Sequence, residues 1–279
     1  PAHLRARLTG TPSEMVMEEF TGKIGDSDIS GDFRMRAGNV PHVRVEITSD
    51  RLNLAPYLPP LGDNEEDDVP ADGRVIPDTP LPLDFLARFD ADIDVTIDQL
   101  IGRALTVDDF DIDGSIADGD LLINNFSLTG QRGGTLAMQM RLDNTGEGTA
   151  DFAMSANGSD LILGLHAATI DDLTLLPLYE ISMEATGQGA TLRDLASTLD
   201  GNLRLVGGEG KIATGGFSMN TGDVFDQILT TMNPFASTDP YTTVACSAVV
   251  LQFADGVVTG RPALVQKTDK LLIFANARV

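Results

Sequence analysis

Between Asp90 and Leu142, apolar and polar residues alternate with period two through successive short runs, and this limits the possible folds more than any other feature. In the first run Ile93, Val95 and Ile97 are interleaved with Asp92, Asp94, Thr96 and Asp98. Phe110 and Ile112 sit between Asp109, Asp111 and Asp113, and Leu121 and Ile123 follow the turn Asp118, Gly119, Asp120. Phe126 and Leu128 resume the pattern one residue out of step, which predicts a β-bulge at Asn124 and Asn125. After Gly133 and Gly134, Leu136, Met138, Met140 and Leu142 alternate with Thr135, Gln139 and Arg141, and Phe152 and Met154 continue the series. Successive side chains of a strand point to opposite faces. The runs therefore read as an antiparallel meander with one apolar and one acidic face.

The rest of the chain extends or interrupts this meander. Residues 1–58 read as a first sheet segment, with alternation at Leu4 to Leu8, Phe20 to Ile24, Ile29 to Met35 and Val43 to Ile47. Residues 59–82 carry six prolines and the run Asp63, Asn64, Glu65, Glu66, Asp67, Asp68, which predicts a mobile acidic linker. Residues 83–279 read as the remaining domain, which is expected to be truncated inside a strand at its C-terminal end. It opens with a short apolar turn or helix at Leu83, Phe85, Leu86 and Phe89. Leu161 to Ala168 fits a strand or a short helix. A helix is predicted over Thr191–Leu199, with Thr191 as N-cap and Gly201 as stop, and a second over Thr221–Met232. Strands return at Leu203, at Val244 to Phe253, at Val257 to Val265 and from Leu271. About 14 strands against two short helices leave one sheet face uncovered, so the sheet must fold on itself, close, or curl into a trough that holds something else.

Hydrophobic residues make up 42% of the chain, ample for a core, yet there is no Trp and only 5% are aromatic. The apolar face is therefore built from Leu, Ile, Val and Met. Nineteen basic residues against 42 acidic ones give a net charge of −23, which repels phosphate backbones and excludes nucleic acid as a partner. Cys246 is the single cysteine, so neither an intrachain disulfide nor a thiolate metal cluster can form, and its apolar surroundings suggest a buried small side chain.

Motifs for chemistry are sparse. Asp109, Asp111, Asp113 and Gly114, followed by Asp120, approach a calcium loop, but the flanks read as strands, so the acids are expected on a solvated strand face. Gly207, Gly208, Glu209, Gly210 and Lys211 resemble a phosphate loop only until Ile212, where Ser or Thr would be needed for magnesium. His3, His42 and His166 lack metal-ligand spacing, and no Gly-x-Ser-x-Gly occurs. No cofactor, metal or catalytic constellation is expected.

The stretch from Gly187 through Gln188, Gly189, Ala190, Thr191, Leu192, Arg193, Asp194 and Leu195 to Leu199, Asp200 and Gly201 resembles the C-terminal region of the AsmA family. So do the Pro-rich break, the segment Pro80, Leu81, Pro82, Leu83, Asp84, Phe85, Leu86, the Asp-rich strands and the Gly133, Gly134 step. The resemblance implies a long curled sheet of bridge-like lipid transfer type, without enzymatic activity. It implies a periplasmic protein held in the bacterial inner membrane by an N-terminal helix outside this chain. It further implies phospholipids as cargo, outer-membrane components as further partners, and support of outer-membrane assembly. Ile93, Val95, Ile97, Phe110, Ile112, Leu121, Ile123, Phe126, Leu128, Leu136, Met138, Met140, Phe152 and Met154 are then the candidate lining of an acyl-chain groove. The rival expectation is an assembly factor for outer-membrane proteins whose apolar face is closed by its own residues. An enzyme such as a carbohydrate-active solenoid would need aromatic platforms, and three Tyr without Trp do not supply them.

Overall fold

The computed structural model describes residues 2–58, 76–103, 106–163, 173–213, 241–269 and 271–279. The predicted helix over Thr221–Met232 and the acid run at Asp63 to Asp68 lie outside these residues. The strands are β1 (Ala2–Thr11), β2 (Glu14–Ile24), β3 (Ser27–Arg36), β4 (His42–Ser49), β5 (Leu52–Asn53), β6 (Asp90–Ile101), β7 (Thr106–Ala117) and β8 (Asp120–Gly130). They continue as β9 (Thr135–Asn144), β10 (Ala150–Leu161), β11 (Tyr179–Gly189), β12 (Asp200–Gly207), β13 (Gly210–Ala213), β14 (Tyr241–Ala254), β15 (Val257–Thr268) and β16 (Leu272–Arg278). All sixteen belong to one sheet that follows the order of the chain. β5 prolongs β4 along β6, and β13 prolongs β12 along β14. The edges β1 and β16 do not pair with each other, so the sheet is open.

Every pairing along the path is antiparallel except one. β4 runs parallel to β6, from His42 beside Asp90 to Ser49 beside Ile97. The expected antiparallel sheet thus holds at every joint along the path but this one, which makes the sheet mixed. Residues 50–89 make the long return that a parallel pair requires. The two segments on either side of the linker form one continuous sheet.

Bulges coil the sheet. The predicted one at Asn124 and Asn125 is present as a register shift between Ile123 and Phe126. Glu19, Asp109 and Asp160 adopt left-handed backbone angles (φ 49°, 48° and 53°) inside further shifts in β2, β7 and β10. Each bulge bends its strand and increases the local twist.

Two short helices sit at one margin of the sheet. α1 (Leu83–Leu86) buries Leu83 and Leu86 against Ala91, Ile116, Leu142 and Ala150. α2 (Leu192–Ser197) has the predicted N-cap: the Thr191 hydroxyl accepts from the Asp194 amide at 3.1 Å, and the Asp194 carboxylate accepts from the Thr191 amide at 3.1 Å. Its stop differs from the expectation. The helix ends at Thr198, whose hydroxyl donates to the Gln188 carbonyl at 2.7 Å. Gly201 instead lies in β12 with φ 146°, where a Cβ would come within 2.0 Å of the Glu184 carbonyl oxygen.

The described end of the predicted linker is also corrected. Residues 76–82 are strapped to α2: the Leu81 amide donates to Ala190 O and the Leu192 amide to Thr79 O, both at 2.9 Å. Arg193 donates to Ile76 O and pairs with Asp78 at 3.4 Å. From there the strap leads into α1, and Leu81 packs against the same cluster.

Candidate functional site

The register of the sheet assembles the alternating runs into continuous apolar rows. Leu8, Met17, Phe33, Val45, Ile93, Gly114, Ile123, Met140, Met154, Ala185, Gly201, Phe253 and Val258 are successive cross-strand partners from β1 to β15. Not one of them is polar. On one side lies a second row, Phe20, Gly31, Ile47, Val95, Ile112, Phe126, Met138, Ala156, Met183, Leu203 and Leu251. Beyond it Leu128, Leu136, Gly158, Ile181, Leu205, Val249 and Leu264 form a third. On the other side Met15, Met35, Val43, Ala91, Ile116, Leu121, Leu142 and Phe152 complete the face beneath α1.

All fourteen candidate residues fall on this one face. Ile97 is buried, and the other thirteen are partly exposed. Phe110 and Phe126 meet edge to face across β7 and β8, with centroids 5.6 Å apart. Were a second layer of the described residues to cover these positions, the central rows would be sealed, as Leu142 is at 7% exposure under α1. The sequence had singled out only the stretch from β6 to β10. The same alternation was legible in β1 to β4 and in β11, but the continuity of their faces depends on the parallel joint and on the bulges.

The opposite face is polar. Asp32, Glu46, Asp94 and Asp113 form a row of carboxylates across β3, β4, β6 and β7. Asp109, Asp111 and Asp113 lie in a strand, where Asp111 accepts from Thr96 and Asn125 and Asp113 accepts from Asn124. Asp120 is at the start of β8, accepting from the Asn144 amide at 2.7 Å. Among the described residues no group of three His, Cys, Asp or Glu is placed to hold a metal ion. A shallow hollow of about 530 Å³ also lies on this polar side, where Ser127, Ala137, Asn157 and Ser182 leave space beside Glu180 and Arg204.

Gly207 to Lys211 spans the end of β12, a two-residue break and the start of β13. Gly210 lets Pro177 approach so closely that a Cβ would stand 2.2 Å from its nitrogen. Cys246 is exposed, not buried. Cys246 alternates with Val249 and Leu251 and so projects from the opposite face, while the bulge between Val244 and Cys246 turns Val244 inward, where it is sealed at 1%.

A family model described as the AsmA family matches residues 3–263. The chain belongs to the AsmA family. This is a family of cell-envelope proteins, and its associations with lipid transport and envelope assembly suit a protein built as a single open sheet. No curated protein and no solved structure matches the chain. No described helix is long and apolar enough to cross a membrane. The AsmA-like stretch from Gly187 to Gly201 contains the end of β11, the capping box of α2 and the tight contact of β12 on β11.

Proposed function

We propose that this AsmA-family chain is a non-enzymatic lipid carrier of the bacterial envelope, which takes up phospholipid acyl chains on the apolar face of its sheet. The observation that carries the reading is the set of in-register rows, free of polar side chains over most of the sheet and left partly exposed. Soluble proteins rarely leave so extended an apolar surface uncovered unless it binds something. Each methylene removed from water contributes about 0.8 kcal/mol, so one acyl chain gains on the order of 10 kcal/mol before the costs of association. The aliphatic character of the rows suits flexible chains, because Leu, Ile, Val and Met offer no oriented polar contacts. In this reading the protein works in the periplasm, tethered to the inner membrane by a segment outside this chain. Its cargo moves toward the outer membrane and supports assembly there, and the acidic back of the sheet stays in water.

The test is extraction and mass spectrometry of lipid from the purified protein, followed by transfer of a fluorescent phospholipid between vesicles. Stoichiometric phospholipid and accelerated transfer are expected. A lipid-free protein that leaves transfer at its spontaneous rate would refute the proposal.

A further inference from the structure

The polar back of the sheet changes character at one end. Its carboxylate row lies on β3 to β7, whereas on β12, β14, β15 and β16 the same face carries Val206, Ala248, Val265 and Phe274 as successive cross-strand partners. Beside them Cys246, Lys267 and Leu272 form a second row. On the edge strand β16, Phe274 is 63% exposed and Leu272 56%, while no large apolar side chain on β9 to β12 is exposed to a comparable degree. Leu8, also exposed on the other edge, belongs to the apolar face.

The charge changes with it. Residues 257–279 carry Arg261, Lys267, Lys270 and Arg278 against Asp269 alone, within a chain of net charge −23. Lys267 is the direct partner of Leu272, and Arg278 projects from the same face as Phe274, four residues along the strand. Both are exposed, and among the described residues neither enters an ion pair. The acidic strand β7 is eight strand spacings from β16, about 38 Å along the sheet, far beyond the screening length of about 8 Å. The basic edge therefore presents its own field. An exposed ring and an exposed aliphatic side chain beside unpaired cations match an anionic lipid surface, where apolar groups enter the head-group boundary and cations meet phosphates.

We propose that the β16 edge docks on the surface of an anionic phospholipid bilayer, with Phe274 and Leu272 entering the head-group layer and Lys267 and Arg278 pairing with lipid phosphates. This inference rests on the acyl-binding function above and gives that function its point of exchange. Ile273 and Ala275 of the same strand lie on the apolar face, Ala275 beside Leu264. An acyl chain leaving the bilayer thus passes round a single strand to reach the apolar rows. An uncharged bilayer offers the cations nothing, and a soluble phosphate offers the ring nothing, so the edge selects a surface that supplies both.

The experiment measures sedimentation of the whole chain with two kinds of vesicle, phosphatidylcholine alone and phosphatidylcholine mixed with phosphatidylglycerol, beside uptake of a fluorescent phospholipid from neutral detergent micelles. Binding to the mixed vesicles alone is expected. Each basic residue at an anionic surface contributes about fivefold in affinity, so Lys267→Gln combined with Arg278→Gln should weaken binding roughly 25-fold, and Phe274→Ser about tenfold. Micelle uptake and the melting temperature should stay unchanged, since all three side chains are exposed. Equal binding to both kinds of vesicle, or undiminished binding by either folded variant, would overturn the docking edge. A parent protein that sediments with mixed vesicles but takes up no lipid from micelles would overturn the acyl-binding function and leave the docking edge standing.

Discussion

Met138 and Leu142 lie four residues apart on β9 and point to the same face, yet glutamate should be tolerated at one and not at the other. Leu142 is sealed beneath α1, in contact with the cluster of Leu83, Leu86 and Ala150. A carboxylate there has no cation and no water, so Leu142→Glu adds an unpaired buried charge, worth about 3–5 kcal/mol, to the lost Leu burial of about 1.5–3 kcal/mol. The sum approaches the whole stability of an ordinary domain, roughly 5–15 kcal/mol. Met138 lies between Phe126 and Ala156 and remains partly exposed. Met138→Glu gives up part of one side chain's burial, about 1 kcal/mol, and the carboxylate reaches water. For a chain of this size that lowers the melting temperature by about 2–4 °C. Circular dichroism melts of both variants read the difference. If Met138→Glu unfolds the protein as thoroughly as Leu142→Glu, the face is a sealed core and the open-surface reasoning fails.

Gly201→Ala should destabilise by several kcal/mol, because its Cβ would stand 2.0 Å from the Glu184 carbonyl at a φ of 146°; a melting temperature within 2 °C of the parent would contradict this. Asp94 stands between Glu46 and Asp113 in the carboxylate row, so Asp94→Asn should stabilise by about 0.2–1 kcal/mol. That gain should vanish near 1 M salt, where the screening length falls to about 3 Å, and a gain that survives would point to another cause. Burial pushes the Tyr179 phenol up, with the Ser247 hydroxyl opposing the shift. The folded state therefore holds this proton more tightly than the unfolded chain. Its contribution to stability is intact below the unfolded value near pH 10 and is lost as pH rises toward the folded one. Urea melts between pH 9 and 11 should fall less steeply with pH in Tyr179→Phe than in the parent, and identical slopes would refute the assignment.

Period-two alternation made the strands, the bulge at Asn124 and the shared face of the fourteen residues from β6 to β10 legible in the sequence. The Thr191 cap was legible too, because Thr followed three residues later by an acid is a local chemical pattern. Other features depend on contacts distant in the chain. Nothing in residues 42–49 says that they pair parallel to β6, since strand direction leaves no mark on alternation. Gly201 looked like a helix stop because it follows the helix by a few residues, yet it is required by the close passage of β11. Cys246 sits among apolar neighbours and was expected inside, yet alternation with Val249 and Leu251 puts it on the outer face, and the bulge before it turns only Val244 inward. The anchoring of residues 76–82 comes from Ala190, Leu192 and Arg193, more than a hundred residues away, so a Pro-rich composition could only suggest a free linker.

Face-specific photocrosslinking tests the central claim most directly. A photoreactive amino acid at Met138, Gln139, Met140 or Arg141 samples the two faces of β9 in turn, and the protein is irradiated in the presence of vesicles carrying labelled phospholipid. Acyl uptake on the apolar face predicts lipid adducts at Met138 and Met140 and none at Gln139 and Arg141. Adducts at all four positions, or at none, would contradict it.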